Sequence, residues 1–247
     1  MSQNKYDNKE FFEEYLKLRK AADNSNINEE MPALFSLIDN NLENKVILDL
    51  GCGYGENTNF LLNRKASRVV GVDISQNMID LANKFNKKDN TEYLCMDMQD
   101  IDKINLKFDL IISSLAIHYV KDYDLLVNKI YNLLNDNGVF IFSLEHPITI
   151  APKEGKKWNY DDNGNPTGFV LSHYQEPGER NIFWLTNNVI KYHRTFSQII
   201  NGLIDNKFEI NKVLEPKPVN PYIDNKRNIE CIHKPYFLII KASKNVS

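Results

Sequence analysis

The feature that most constrains the fold of this chain is a regular alternation of short apolar runs with helical segments between Lys45 and Phe142. Strands that alternate with helices in this way form βαβ units, whose strands are parallel. We therefore predict a doubly wound α/β sheet with helices on both faces. The predicted strands are 46–51, 68–74, 91–97, 108–114 and 138–145, and the predicted helices are 57–63, 77–85 and 123–134, the last capped by Asn137-Gly138.

The segments before and after this core predict a cap and an insert. Residues 1–44 contain two amphipathic segments, Lys9–Ala22 and Met31–Asn40, which we expect to form a helical cap packed across the carboxyl edge of the sheet. Residues 147–192 are dense in proline and glycine, which excludes long helices and predicts hairpins or a lid after the fifth strand.

Residues 193–247 are expected to complete the core of residues 45–146. The pattern predicts a helix at 195–206 and strands at 209–216 and 236–243, the last of them antiparallel to a mostly parallel sheet.

Composition excludes several classes of protein. The apolar fraction of 42%, the charged fraction of 26% and the net charge of -3 over 247 residues are typical of a soluble globular chain, whereas a nucleic-acid-binding protein is usually basic. No apolar run approaches the ~20 residues that cross a bilayer, so we expect no membrane partner and a cytoplasmic location. The three cysteines form no CxxC pair, so neither a disulfide framework nor a metal site is predicted.

A glycine-rich loop follows the first predicted strand. The stretch VILDLGCGYGENT contains Asp49 and then Gly51, Gly53 and Gly55 in alternation. Glycine has no Cβ and adopts positive φ, so the backbone can approach a ligand closely. The dinucleotide pattern is GxGxxG, but here the third glycine comes one residue early, and a carboxylate two residues before the first glycine repels a pyrophosphate. The loop therefore favours a ligand with a cationic amine.

Acidic residues also end the next two predicted strands. Asp73 ends the second strand, where a carboxylate accepts hydrogen bonds from ribose hydroxyls, and Asp97 ends the third, where it can accept from the exocyclic amine of adenine. Carboxyl ends of parallel strands meet at one edge of a sheet, so these acids predict a nucleoside ligand there.

At these residues, from about Val46 to Leu144, the sequence resembles the class I S-adenosylmethionine-dependent methyltransferases, which have a Rossmann-like fold. SSLAIHYV and LLNDNGVFIFS are similar to the branch of the family that acts on small molecules. The resemblance implies S-adenosyl-L-methionine as the cofactor. It places Asp49, Gly51, Cys52, Gly53, Gly55 and Ser113 near the methionine part, Asp73 at the ribose, and Ile74, Met78, Asp97 and Met98 at the adenine. The spacing of Tyr15 and Arg19 also resembles the family, which implies that both reach the cofactor carboxylate.

Two histidines are candidates for acid-base chemistry. His118 follows the fourth predicted strand and His146 follows the fifth, so both lie at the edge of the sheet where ligands bind in open α/β folds. An imidazole titrates near neutral pH, which suits a general base. If the methyl acceptor must lose a proton, we expect His146 or His118 to accept it; the sequence does not determine whether a general base is used.

The residues and the resemblance together predict a methyltransferase that acts on a small-molecule acceptor by in-line attack on the sulfonium methyl group. Two alternatives stay open: a non-catalytic S-adenosylmethionine-binding regulatory protein and, less favoured by the glycine spacing, a nicotinamide-dependent oxidoreductase. The sequence does not determine the acceptor, whether O, N or C is methylated, or the oligomeric state.

Overall fold

The computed structural model describes residues 3–21, 29–154, 157–217 and 226–245. Its centre is a seven-stranded sheet in the order β10-β11-β5-β4-β1-β2-β3, in which β11 is antiparallel to both neighbours and the other strands are parallel to one another. This arrangement confirms the predicted mostly parallel sheet with an antiparallel last strand. The strands are β1 Val46–Leu50, β2 Arg68–Asp73, β3 Thr91–Cys95, β4 Phe108–Ser113, β5 Leu134–Glu145, β6 Trp158–Tyr160, β7 Pro166–Phe169, β8 Gly178–Trp184, β9 Thr186–His193, β10 Phe208–Leu214 and β11 Phe237–Lys244.

Helices cover both faces of the sheet. Several of those described begin at side-chain caps: the Ser75 hydroxyl accepts a hydrogen bond from the backbone N–H of Met78, the His146 ring accepts from that of Ile148, and Thr195 forms a capping box with Gln198. The helices are α1 Lys9–Ala21, α2 Glu30–Ser36, α3 Glu56–Asn63, α4 Gln76–Phe85, α5 Tyr123–Leu133, α6 Pro147–Ile150, α7 Phe196–Asp205 and α8 Lys226–His233.

The core is divided between the two faces by the alternation of side chains along each strand. In β1, Leu48 belongs to a cluster that α5 and α7 complete, whereas Ile47 belongs to a second cluster that contains Leu34 of α2 and Leu61 of α3. Successive residues of a strand point to opposite faces, so a strand covered on both faces is apolar throughout. This explains the continuous apolar runs in the sequence.

The segment after β5 contains the short helix α6 and two antiparallel hairpins, β6–β7 and β8–β9. The density of proline and glycine predicted hairpins here, and that prediction is confirmed. A role for the segment as a lid stays a prediction.

Two predictions of local structure were wrong, and one helix was not predicted. Helix α5 ends at Leu133, before the predicted Asn137-Gly138 cap, because Leu134 pairs with Phe108 of β4; Asn137, with φ 59°, and Gly138 lie inside β5. Helix α2 is shorter than predicted; Leu34 packs on a face of the sheet in the second cluster, whereas Glu30 at its start bonds Ser114 and Ser143 at the carboxyl ends of β4 and β5. Helix α8 was not predicted.

Candidate functional site

A cavity of about 280 Å³ lies beyond the carboxyl ends of β1 and β4. The chain leaves β1 toward β2 on one side of this point and reaches β4 on the other, which makes it the place where open α/β sheets bind ligands. The cavity is lined by the loop after β1, the ends of β2, β3 and β5, the segment after β4, helix α1 with the residues before it, and the hairpin β8–β9.

The glycine loop forms one wall of the cavity. Gly51, Cys52 and Gly53 line it, and Gly51 and Gly53 have φ of 71° and 53°. A Cβ added to Gly51 would overlap the Cβ of Ala116, whereas one added to Gly53 would meet nothing within 4 Å. Gly55 does not line the cavity; it begins α3, and a Cβ there would lie 2.6 Å from the Tyr93 hydroxyl. The loop therefore leaves open space at Gly53.

Asp73 places a half-buried carboxylate in the cavity wall at the end of β2. Its Oδ2 accepts a hydrogen bond from the backbone N–H of Gly53 at 2.9 Å, and its Oδ1 accepts from the backbone N–H of Ser75 at 2.9 Å. Burial raises the pKa of Asp73, and no cationic side chain pairs with it within the described ranges. Each carboxylate oxygen has capacity for a further hydrogen bond, so Asp73 can accept from a bound ligand.

An apolar part of the cavity adjoins Asp73. It is lined by Ile74, Met78, Met98 and, at its edge, Asp97. The Oδ1 of Asp97 accepts a hydrogen bond from the backbone N–H of Gln99 at 2.9 Å. Apolar side chains with one carboxylate at the edge suit a flat heterocycle that carries an amine.

Besides Gly55, two further residues predicted beside the methionine part lie outside the cavity lining. Asp49 is fully buried, and the Nδ2 of Asn57 donates to its Oδ2 at 3.2 Å; burial raises the pKa of Asp49 to about 7. The buried hydroxyl of Ser113 donates to the carbonyl oxygen of Leu50 at 2.8 Å, and Ser114 lines the cavity in its place. The prediction that both contact a ligand directly is therefore corrected. Asp49 bonds Asn57 of α3 and Ser113 bonds the end of β1, so both support the glycine loop from the side away from the cavity.

We expect the Asp49→Asn variant to lose a pH dependence of stability. The pKa of Asp49 is about 7 when folded and 3.8 as its ordinary value, so between these values the folded chain holds a proton that the unfolded chain has lost. The contribution of this proton is complete at low pH, and the free energy of unfolding falls by up to about 1.4 kcal/mol per pH unit as pH rises from about 4 to 7. Urea unfolding of both proteins across this range measures the difference.

His118 supplies the internal control for that comparison. Burial lowers the pKa of His118 to about 3, so its contribution to stability rises with pH over the same range, but it is common to both proteins. If the difference in unfolding free energy between wild type and Asp49→Asn stays constant with pH, the inference that folded Asp49 holds a proton in this range is wrong.

Helix α1 lies over the cavity. Tyr15 lines it, and its ring contacts the rings of Tyr6 and Trp184 edge to face, with centroids 5.1 Å and 6.5 Å apart. Arg19 lies in α1, but its side chain falls outside the described residues, as does Ala22 at the predicted end of this helix.

The two predicted histidines differ in position. His118 lines the cavity; its Nδ1 accepts from the backbone N–H of Glu145 at 3.4 Å. His146 does not line it, because its Nε2 bonds Glu215 Oε1 at 2.9 Å and its Nδ1 accepts from the N–H of Ile148 to cap α6. The prediction that His146 faces an acceptor is therefore corrected.

Sequence reasoning missed an ion pair in the far wall of the cavity. The Nζ of Lys191 in β9 lies 2.6 Å from Oε1 of Glu145 at the end of β5, and 5.1 Å from the ring of Trp184. Burial alone would raise the pKa of Glu145, but the charge and hydrogen bond of Lys191, together with His118 and Lys234, outweigh it and hold the pKa below its ordinary value. One signal was available. Val189, Lys191 and His193 are spaced two residues apart, so they lie on the same, inward face of a strand, where a lysine is unusual.

Sequence comparison matches residues 48–142 to a family described as a methyltransferase domain. A Haemophilus influenzae protein described as uncharacterised is 37% identical over 97% of this chain and 96% of its own. The malonyl-[acyl-carrier protein] O-methyltransferase of Acetivibrio thermocellus is 35% identical over 42% of this chain and 37% of its own. The juvenile hormone acid O-methyltransferase of Bombyx mori is 26% identical over 76% of each chain.

Two solved structures are similar over most of the chain. A protein of Mesorhizobium loti described as an S-adenosylmethionine-dependent methyltransferase superposes with a TM-score of 0.77 and 34% identity, over 87% of this chain and 97% of its own. A Listeria monocytogenes protein assigned to the same class superposes with a TM-score of 0.80 and 31% identity, over 88% and 97%. Among the helices that the structure describes, none is long and apolar enough to span a membrane.

Proposed function

Because the chain belongs to the class I S-adenosylmethionine-dependent methyltransferases, we propose that it transfers the methyl group of S-adenosylmethionine to a small molecule bound in the far part of the cavity. S-adenosylmethionine is the cofactor of this class; when bound, it supplies a methyl group on a positively charged sulfur. The chain's own residues bind the two molecules, orient them and exclude water.

The described residues fit this cofactor. Asp73 has a half-buried carboxylate with free accepting capacity and no cationic partner in the described part of the chain, which suits two ribose hydroxyls. Ile74, Met78 and Met98 would hold the adenine, with Asp97 at its amine. The open space at Gly53 admits the methionine part beside Cys52 and Gly51.

The observation that carries the proposed acceptor class is the wall beyond the glycine loop. Past Ala116 the cavity ends at Tyr119, Glu145, Trp184 and Lys191. Since the rings of Phe11 of α1 and Trp184 of β8 touch edge to face, with centroids 5.5 Å apart, side chains of the N-terminal helix and of the hairpin β8–β9 cover this part. A cavity of this size, covered on one side by these side chains, suits a small molecule better than a nucleic acid or a folded protein.

The N-terminal segment and the hairpin β8–β9 form this cover together. The side chain of Gln3 donates to the carbonyl oxygen of Asn188 and accepts from the backbone N–H of Ile190, both at 2.8 Å. Asp7 accepts from the Ser75 hydroxyl at 2.6 Å and from the backbone N–H of Asn77 at 3.1 Å. We propose that these contacts hold the cover closed while both substrates are bound, which excludes water from the reaction.

The proposed function is tested with methyl-labelled S-adenosylmethionine and a cell extract divided by size into small molecules, nucleic acids and proteins. We expect label to enter the small-molecule fraction in proportion to the protein added. The matched blank is the same extract with S-adenosylhomocysteine in excess, which competes for the cofactor site.

Each other outcome contradicts part of the proposal. Label in the nucleic-acid or protein fraction would refute the acceptor class. No label in any fraction, with S-adenosylhomocysteine bound in calorimetry, would favour the non-catalytic alternative. Preferential binding of NAD would favour the oxidoreductase.

A further inference from the structure

We propose that Glu145 is the residue that meets the methyl acceptor, and that the group it recognises is a hydroxyl, which becomes a methyl ether. This inference rests on the proposed function, since it names the acceptor chemistry of the same cavity. It is carried by the position of Glu145 beside Lys191 and His118, and by the hydrogen-bonding groups that these three side chains leave for a ligand.

The cavity offers few groups that accept a proton at its far end. His118 is unsuited, because its Nδ1 already accepts from the backbone N–H of Glu145 and burial lowers its pKa to about 3; the neutral ring therefore carries its proton on Nε2. Burial raises the pKa of Tyr6 and of Tyr119 well above their ordinary values, so both stay protonated. Glu145 is ionised and lines the cavity, with a quarter of its side chain exposed.

Glu30 is the other acidic side chain near this wall, but it is already engaged. Its Oε1 accepts hydrogen bonds from the hydroxyls of Ser114, at 3.0 Å, and Ser143. Glu30 is also only 1% exposed, whereas a quarter of the Glu145 side chain is exposed; the Lys191 ammonium occupies only Oε1 of Glu145, so Oε2 keeps its accepting capacity on the cavity side.

The charges around Glu145 decide which acceptor fits. The titratable and charged groups that act on it or face it are His118, Tyr119, Lys191 and Lys234. A carboxylate acceptor would meet the like charge of Glu145. An ammonium acceptor would meet Lys191 and has no lone pair for attack. A hydroxyl is neutral, donates to Glu145 and accepts from Nε2–H of His118, so it complements both groups.

The step balances with no further reactant. The hydroxyl oxygen forms a bond to the methyl carbon while the bond from that carbon to sulfur breaks, and the electron pair of the broken bond stays on sulfur. The hydroxyl proton passes to Glu145, so the positive charge on sulfur and the negative charge on the carboxylate disappear together. Glu145 then releases the proton to water.

The first test is the chemistry of the labelled product made by the wild-type protein from the small-molecule fraction. A methyl ether keeps its label in mild alkali and releases it as methyl iodide in hot hydriodic acid, and this is the expected result. Loss of the label as methanol in mild alkali identifies a methyl ester, and label retained in hydriodic acid identifies methylation on nitrogen or carbon. Either result overturns the inference while the proposed function stands.

The second test is Glu145→Gln, which keeps the shape of the side chain and removes its charge. We expect turnover to fall by at least about 100-fold, the usual range for loss of a general base, with the affinity for S-adenosylhomocysteine unchanged. The matched control is Glu92→Gln, since Glu92 forms an ion pair of the same 2.6 Å length with Arg68 and does not line the cavity. It is expected to keep wild-type turnover.

The pH profile separates a proton acceptor from a residue that only holds the wall in place. Wild-type turnover should be flat near neutral pH because Glu145 is already ionised, whereas turnover of Glu145→Gln should rise with pH as the acceptor loses its proton to solvent. Glu145→Gln leaves Lys191 buried without its partner, so the double variant Glu145→Gln/Lys191→Met is measured beside it, with the same result expected. Wild-type turnover in either variant, or a variant profile as flat as that of the wild type, refutes the role of Glu145.

Discussion

Gly53→Val is expected to abolish cofactor binding in a chain that still folds. Gly53 lines the cavity, and a Cβ there meets no atom within 4 Å, so a valine side chain would occupy the space proposed for the methionine part. We expect S-adenosylhomocysteine to bind at least about 100-fold more weakly in calorimetry, which corresponds to about 2.7 kcal/mol.

Gly164→Val is the matched control for this variant. Gly164 also has a positive φ, 82°, and open space around its Cβ position, but it lies between β6 and β7 and does not line the cavity. Both variants place a residue with a side chain in a left-handed backbone conformation, which costs about 1 to 2 kcal/mol, so the temperature of thermal unfolding should fall in both. Equal cofactor affinity in the two variants would show that the cofactor does not pass Gly53.

Asp73→Ala is expected to weaken cofactor binding by about 100-fold, and Asp97→Ala by about tenfold. Asp73 can accept from two ribose hydroxyls through charge-assisted hydrogen bonds, whereas Asp97 accepts from one amine at the cavity edge. The two variants are matched, because each removes a carboxylate that also accepts from nearby backbone N–H groups. Calorimetry with S-adenosylhomocysteine gives both affinities, and equal losses would contradict the assignment of ribose to Asp73.

The sheet was predictable because its strands are covered on both faces. Runs such as VILDL and FDLIIS are mostly apolar and do not alternate with polar residues. This local pattern is typical of buried parallel strands and does not depend on distant segments. The glycine loop was predictable for a related reason. Positive φ at Gly51 and Gly53 is a local backbone requirement, so it leaves its mark on the local sequence.

The far wall of the cavity was not predictable, because it depends on contacts between distant segments. Glu145 and Lys191 meet only because β9 returns across the end of β5, and the residue pattern of neither segment predicts this contact. The same limit explains the error at His146, where a strand-end position was predicted correctly but the partner Glu215 was not. Strand ends identify the edge of the sheet where a site lies, and tertiary packing decides which side chains line it.

The place of β11 in the sheet has a consequence for biosynthesis. Strand β11 lies between β5 and β10, yet it is the last strand of the described chain to leave the ribosome. Until it emerges, β5 presents an edge of unpaired N–H and C=O groups, and β10 has no neighbour with which to pair. Exposed strand edges associate with other chains, so the nascent protein is most exposed to aggregation between the synthesis of β5 and that of β11.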